Sequence, residues 1–398
     1  LRTDKEGKTD NHIWHWETGD AEKTEKTFQS ADVVVKEKVY LPRIHVASIE
    51  TCGCGASFDP AEGKLTVWMT TQAPHAIRTV VAMVAGHVGL SEEKIRIISP
   101  DIGGGFGGKD ETRTASISAL LAKRTGRPVK IELSREEEFL AGRRRHSTKT
   151  TVRIGLTREG NITAIDASTV MDTGAYLSSG PGVIRRAGQG FLYLYRCANV
   201  RYTGYLVYTN TPSAGSYRAL GAPQGHFALE SMIDEVAEKI DIDPLEFRLR
   251  NHVSKQGQPG ERVTPVDQIV DTQPVEGGIP FSSNGLADCL KLGSQAINWD
   301  TDDISAHQEG PVRRGKGMSM FLYRGGPGGT AEAHITLNRQ GDYEVSVGIM
   351  DVGEGSVTVL AQMASEILGT DPRDSVSYTH LRAHETLRYL VCRLLLEK

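Results

Sequence analysis

Residues 101–110 read Asp-Ile-Gly-Gly-Gly-Phe-Gly-Gly-Lys-Asp, and the five glycines among positions 103–108 constrain this chain more than any other stretch. Glycine adopts left-handed backbone angles without steric cost, so such a run folds back on itself and lets N–H groups converge on an anion. The segment before it, Ile95–Ser99, alternates as a strand, and a helix reaching Lys123 is expected after it. Loops between a strand and a helix are places where backbone donors hold phosphate or oxo groups. Gly103, Gly105 and Gly108 satisfy G-x-G-x-x-G, and Gly103, Gly108 and Lys109 supply most of a phosphate-loop motif. A phosphate loop needs Ser or Thr after its lysine to ligate magnesium, whereas Asp110 would set a carboxylate beside the triphosphate. A dinucleotide fingerprint needs a parallel βαβ unit. A bare glycine turn leaves the enclosed Phe106 unexplained.

The rest of the chain alternates strand and helix signals without a solenoid period. Lys64–Thr70 reads as a strand, and Pro74 opens a helix whose apolar face is Ile77, Val80, Val81, Val84 and Val88. Val129–Leu133 is a short strand. Thr150–Leu156 and Ile162–Val170 alternate on either side of a turn at 158–161, which predicts an antiparallel hairpin and speaks against a doubly wound sheet. A helix opened by Pro223 carries Leu229, Met232, Ile233, Val236 and Ile240, and Asp243-Pro244 caps another. Farther on, Tyr343–Gly348 is a strand, and Val357, Leu360, Ala364 and Leu368 form a helix closed by Gly369. The fold class is α+β, with mixed sheets and packed helices.

A net charge of -4 provides no electrostatic reason to expect nucleic acid as partner. Arg143-Arg144-Arg145-His146 follows Glu136-Glu137-Glu138, and this balanced run reads as a solvated surface. No apolar stretch approaches the roughly 20 residues that span a bilayer, so no membrane role is expected. The polar first residues do not resemble a signal peptide, and the missing initiator Met hints at a missing beginning. Five cysteines are too few for a disulfide scaffold, and Cys52 and Cys54 alone cannot complete a metal site. The expected location is the cytoplasm.

Five motifs carry a resemblance. They are Thr70-Thr-Gln-Ala-Pro-His75, the loop Gly103–Lys109, Thr125-Gly-Arg-Pro128, Tyr208-Thr-Asn-Thr-Pro212 and Tyr217-Arg-Ala-Leu-Gly-Ala-Pro-Gln224. In this order and spacing they resemble the molybdenum-cofactor-binding large subunit of the xanthine dehydrogenase, aldehyde oxidase and aerobic carbon monoxide dehydrogenase family. The resemblance implies hydroxylation of an aldehyde or N-heteroaromatic carbon with water-derived oxygen. It implies a molybdenum-molybdopterin cofactor, expected as the cytosine dinucleotide form, with [2Fe-2S] clusters and FAD on partner subunits. The implied partners are an iron-sulfur small subunit and an FAD-binding medium subunit, in a dimer of heterotrimers, together with a small-molecule substrate.

By the same resemblance, Gln72 approaches the ligand sphere of molybdenum, and Gly105, Phe106 and Gly107 lie against the metal centre. The backbone N–H of Arg218 would face a molybdenum oxygen, with no protein ligand bound directly to the metal. Asp110 or Glu111 matches the substrate-facing acid, Arg186 a substrate-orienting arginine, and Leu220 the position of an aromatic that stacks on purines. The carbon monoxide branch carries a cysteine where this chain has Ala219. Gly353-Glu-Gly355 replaces a Gly-Gln-Gly, placing a carboxylate where anionic cofactor groups would meet it. The general-base glutamate is expected beyond this chain, so no catalytic residue is assigned and the 398 residues alone are expected to be inactive. Expected domains are a first cofactor-binding domain at 1–255, a linker at 256–280 and part of a second cofactor-binding domain at 281–374. Residues 375–398 read as a non-native tail in which Leu387–Leu395 would form an amphipathic helix. The alternatives are a phosphate-loop nucleotide-binding protein without redox role and a carbon monoxide dehydrogenase-like subunit.

Overall fold

A computed structural model describes residues 10–111, 113–253, 284–301, 310–323, 333–337, 339 and 343–378. The linker at 256–280 and the helix at 387–395 lie outside the described residues. The chain begins β1 (His12–Thr18), α1 (Ala21–Gln29), β2 (Val33–Leu41), β3 (Gly53–Asp59), β4 (Lys64–Met69), α2 (Pro74–Gly86) and β5 (Ile95–Ile98). It continues α3 (Ala115–Thr125), β6 (Val129–Glu132), α4 (Arg135–Ala141), β7 (Ser147–Leu156), β8 (Ile162–Asp172), α5 (Gly180–Tyr193) and β9 (Val200–Val207). Then follow α6 (Ala222–Lys239), α7 (Pro244–Asn251), α8 (Leu286–Ala296), β10 (Ala333–Leu337), β11 (Tyr343–Val347), α9 (Ser356–Leu368) and β12 (Ser375–Tyr378). Among the described residues, no helix is long and apolar enough to cross a membrane.

The chain divides into two compact units. The first comprises Leu1–Ile44, Arg145–Gly215 and Ala219–Arg324. Its sheet runs β1-β9-β8-β7-β2. The predicted hairpin is there, with Val152 opposite Ala167 and Ile154 opposite Ile165, and β9 adds in parallel to β8. Alternation puts Val152, Ile154 and Leu156 on the buried face, where Leu229, Met232, Ile233 and Val236 of α6 join the same core. Each such side chain contributes about 1.5–3 kcal/mol on burial. Asp243 caps α7 as read from sequence, accepting from the N–H groups of Leu245 and Glu246.

Helix α5 is not legible in the sequence, because it contains four glycines and a proline. Tertiary packing outweighs that poor propensity. A Cβ on Gly225 of α6 would overlap Ala187 of α5, lying 2.7 Å from its carbonyl carbon, so glycine is what lets these helices touch.

The second unit comprises His45–Arg144, Ser216–Arg218 and Gly325–Lys398. Its larger sheet runs β5-β4-β3-β6, with β4 and β5 parallel and the β3 pairings antiparallel. Leu65, Val67, Ile95 and Ile97 face α2 and α3. The buried stripe of α2 includes Ile77, Val81 and Ala85, whereas Val80 points outward and Val88 lies past the end of the helix, so the predicted face is too wide and too long. The hairpin at 147–172 belongs to the other unit's sheet, and β4, α2 and β5 do form a parallel crossover. The dinucleotide pattern fails for a different reason than expected: the glycine loop follows the second strand of that crossover, not the first.

The second unit also holds a sheet β10-β11-β12. Gly369 closes α9 in a left-handed conformation, as predicted. Strand β12 lies within the 375–398 segment that sequence sets apart, paired in parallel with β11.

The run Arg143–His146 after α4 is not a solvated surface, although Glu136 and Glu137 within α4 are exposed. Glu138, Arg145 and His146 are buried, and Arg143 is paired with Asp110 and Glu111. Their partners come from distant segments, which local charge counting cannot see. Ser134 and Glu137 form a reciprocal capping box at the start of α4. Ser134→Ala is expected to cost about 1 kcal/mol; an unchanged urea midpoint would refute the cap.

Candidate functional site

The site is built in the second unit on the loop between β5 and α3. Gly104, Phe106 and Gly107 all have positive φ (88°, 51° and 90°). Glycine takes such angles freely, whereas at Phe106 they cost of order 1–3 kcal/mol and persist only when neighbours impose them. The neighbours are identifiable. Gly108 N–H closes a turn onto the Gly105 carbonyl at 2.7 Å, and Arg218 N–H donates to the Phe106 carbonyl at 2.9 Å. The ring of Phe106 remains 47% exposed, a large apolar surface held open by a strained backbone.

Gln72 sits between β4 and α2, and its Oε1 accepts from Gly107 N–H at 2.8 Å and Lys109 N–H at 3.4 Å. Its own N–H donates to the Lys109 carbonyl at 2.9 Å, as does the Thr71 hydroxyl. A Cβ on Gly105 would overlap Gln72 Cδ and Oε1 and lie 2.6 Å from Cγ, so Gly105 is the space the Gln72 side chain occupies. With Oε1 committed to the loop, the Gln72 amide presents its NH2 as donor.

The loop's start is fixed by Glu50, which precedes β3. Its Oε2 accepts from Gly103 N–H at 2.8 Å and from Lys109 Nζ at 2.6 Å, and its N–H donates to the Gly103 carbonyl at 3.3 Å. Lys109 is 2% exposed, so the one cation of the motif is spent inside the fold and cannot reach a nucleotide phosphate. That removes the residue on which the phosphate-loop reading rests.

Asp110 and Glu111 both meet Arg143, Asp110 at 2.7 Å. Burial pushes the Asp110 carboxyl up, against the opposing pull of Arg143 and the Ser216 hydroxyl. Arg113 pairs with Glu138 at 2.9 Å and donates to the Gly108 carbonyl at 3.2 Å. Burial raises the Glu138 carboxyl, but the Cys52 N–H and Arg113 outweigh it and hold the group below its ordinary value. The neighbouring Cys52 thiol is pushed up to about 11, chiefly by burial. Cys54 is likewise buried, and among the described residues no group of three or more His, Cys, Asp or Glu could hold a metal ion. Near α9, Asp351 accepts from the N–H groups of Gly353, Gly355 and Val357, and Glu354 accepts from Val352 N–H, so both carboxylates turn onto their own loop.

Gln72, Gly105, Phe106, Gly107, Asp110, Glu111 and Arg218 thus fall in one unit. Arg186, on α5, and Leu220, in the positive-φ turn before α6, fall in the other. The Arg218 N–H, which the resemblance directs at a metal oxygen, donates to the Phe106 carbonyl in this structure and so tethers the loop. Asp110 and Glu111 are likewise ion-paired in this conformation rather than free. Glu50, Arg113 and Arg143 escape a reading of the sequence as site residues, since nothing in their local surroundings marks partners so far along the chain.

A molybdopterin group needs donors that add no charge to an already anionic centre, and the loop can be tested for them. Among the described residues no hydrogen bond spends the N–H groups of Gly105 or Phe106, or the NH2 of Gln72. These neutral donors, around a glycine-lined turn whose lysine is already neutralised, fit such a group.

Comparison with known proteins agrees. Residues 4–252 match the Molybdopterin cofactor-binding domain family, and residues 293–386 match a second family of the same description. The chain is 34% identical over 357 residues to a putative xanthine dehydrogenase molybdenum-binding subunit from Escherichia coli, covering 88% of this chain and 45% of that protein. It is 30% identical to the carbon monoxide dehydrogenase large chain of Hydrogenophaga pseudoflava, covering 93% of this chain and 48% of that one. It superposes on reconstituted CO dehydrogenase from Oligotropha carboxidovorans with a TM-score of 0.76 at 27% identity, over 92% of this chain and 47% of that one. The chain spans about half the length of the curated relatives it matches.

Proposed function

Because this chain belongs to the molybdopterin-binding large-subunit family of xanthine dehydrogenase, aldehyde oxidoreductase and CO dehydrogenase, we propose that it forms the cofactor-holding part of a molybdenum-dependent hydroxylase. The substrate class is an aldehyde or an N-heteroaromatic carbon. The observation that carries this reading is the set of unspent donors, Gln72 NH2 with the Gly105 and Phe106 N–H groups, on a loop whose charged side chains are already paired. When bound, the molybdenum-molybdopterin group supplies the redox centre that takes two electrons from the substrate carbon.

The residues of this chain have defined tasks. Gln72 uses one end of its amide to hold the loop and the other to donate to the cofactor. Gly105 and Phe106 offer backbone donors already oriented by the turn, so no reorganisation is needed when the anionic group arrives. The exposed Phe106 ring supplies an apolar wall for a flat or aliphatic substrate and helps exclude water. Asp110 and Glu111, oriented by Arg143, supply polar contacts to the substrate. Arg186 and Leu220 remain candidate substrate residues, and an aliphatic Leu220 gives no stacking preference for a purine. Ala219 lacks the sulfur that would define the carbon monoxide branch, which disfavours that chemistry. No residue of this chain is assigned the general-base role.

The proposal extends to the cytosine dinucleotide form of the cofactor. It also includes an iron-sulfur small subunit and an FAD-binding medium subunit as partners that carry the electrons away. The relatives' descriptions as a molybdenum-binding subunit and a large chain support such an assembly.

Gln72→Ala and Phe106→Ala in the full-length enzyme test the site. Each is expected to lower bound molybdenum or turnover about 10–100-fold, the usual effect of removing an outer-shell partner, with the circular dichroism spectrum unchanged. Wild-type metal content and turnover in both variants would remove the assignment.

A further inference from the structure

We infer that Glu50 is a positioning residue for the cofactor loop, acting with Lys109 as a clasp that joins the two ends of residues 103–109. The inference rests on the functional reading above and adds a residue to it. One carboxylate oxygen, Glu50 Oε2, receives both Gly103 N–H at 2.8 Å and Lys109 Nζ at 2.6 Å. A single atom therefore sets the separation of the loop's first and last residues.

The two ends are not equally held without it. Lys109 keeps its backbone contacts with Thr71 and Gln72, whereas both polar backbone groups of Gly103 bond only to Glu50 among the described residues. Gly103 also fits closely against that residue, since a Cβ there would lie 2.6 Å from Glu50 Cβ. Lys109 is 2% exposed, so its ammonium is not free to wander and orients the carboxylate toward Gly103. Between the two ends lies Phe106 at φ 51°, a costly conformation to which closing the loop ends adds a restraint beside the Gly108 turn and the Arg218 tether. The clasp thus fixes the direction of the Gly105 and Phe106 N–H groups while cancelling the one cation of the loop.

The test combines amide hydrogen exchange of residues 103–109 with bound molybdenum, in the wild type, Glu50→Gln and the double variant Glu50→Gln/Lys109→Met. The substituted amide can still accept from Gly103 N–H but no longer carries a charge to be oriented. Both variants are expected to exchange at least tenfold faster at 103–109 and to retain at most a tenth of the molybdenum. Exchange in β3 and β4 should be unaltered in the double variant, which has no unpaired buried charge. The double variant matters because Glu50→Gln alone leaves Lys109 unpaired and can fail to fold. Wild-type exchange and retention in the double variant would show that the Lys109-oriented carboxylate does not hold the loop shut and would overturn the clasp. Faster exchange in the variants of a chain whose wild type binds no molybdopterin would support the clasp and sink the functional reading instead.

Discussion

Gly105→Ala is expected to empty the site while leaving the fold standing. The added methyl would occupy the volume of Gln72 Cγ, Cδ and Oε1, so the Gln72 side chain must swing away and release Gly107 and Lys109 N–H. Overpacking of this kind costs about 1–3 kcal/mol, less than the ~5–15 kcal/mol that stabilises a typical domain. The cofactor loses more, because the amide donor leaves and the loop that orients the other donors loosens. Bound molybdenum should fall at least tenfold, with a small drop in melting temperature. Gly55→Ala is the control, since a Cβ there meets nothing within 4 Å, and it should leave both quantities as they are. Full molybdenum content in Gly105→Ala would mean that Gln72 is not part of the site.

Arg248→Met should have the largest effect on stability. Arg248 is fully buried, pairs with Glu230 at 3.0 Å and Asp234 at 2.8 Å, and donates to the Pro244 carbonyl. Glu230 also accepts from the Tyr195 hydroxyl at 2.6 Å and Met320 N–H at 2.7 Å. Breaking a buried pair leaves the partner's charge stranded and costs about 3–5 kcal/mol. Burial already pushes the Glu230 carboxyl up, against Arg248 and the Tyr195 hydroxyl. A carboxyl raised on folding contributes stability that is complete below its unfolded value and is lost as pH rises through the folded one. Without Arg248 that folded value climbs further, so the variant should lose more stability than the wild type between acid and neutral pH. Glu230→Gln/Arg248→Met should recover part of the loss. A neutral-pH urea midpoint equal to wild type in Arg248→Met would show that the pair carries no weight.

Local pattern is sufficient for much of the chain. The hairpin at 147–172, the apolar stripe of α6, the Asp243 cap and the Gly369 stop are each decided by neighbours a few residues apart, and each stands where periodicity and capping chemistry put it. Helix α5 is hidden because glycines that look like helix breakers are the residues that let helices pack closely. The run Arg143–His146 misleads for a related reason, its countercharges lying far away in the chain.

By itself the sequence determined that residues 103–108 must turn sharply, because glycine's conformational freedom is intrinsic to the residue. Gln72 and Arg218 stand out only through the resemblance of the ordered motifs to a known family, not by their residue type. Only the tertiary structure decided how the glycine loop is held. It spent Lys109 on Glu50 rather than on a phosphate, paired Asp110 and Glu111 with Arg143, and turned the Arg218 N–H onto Phe106. A donor or a charge is committed by whichever partner the fold brings within about 3 Å, and that distance is set by segments far apart in sequence.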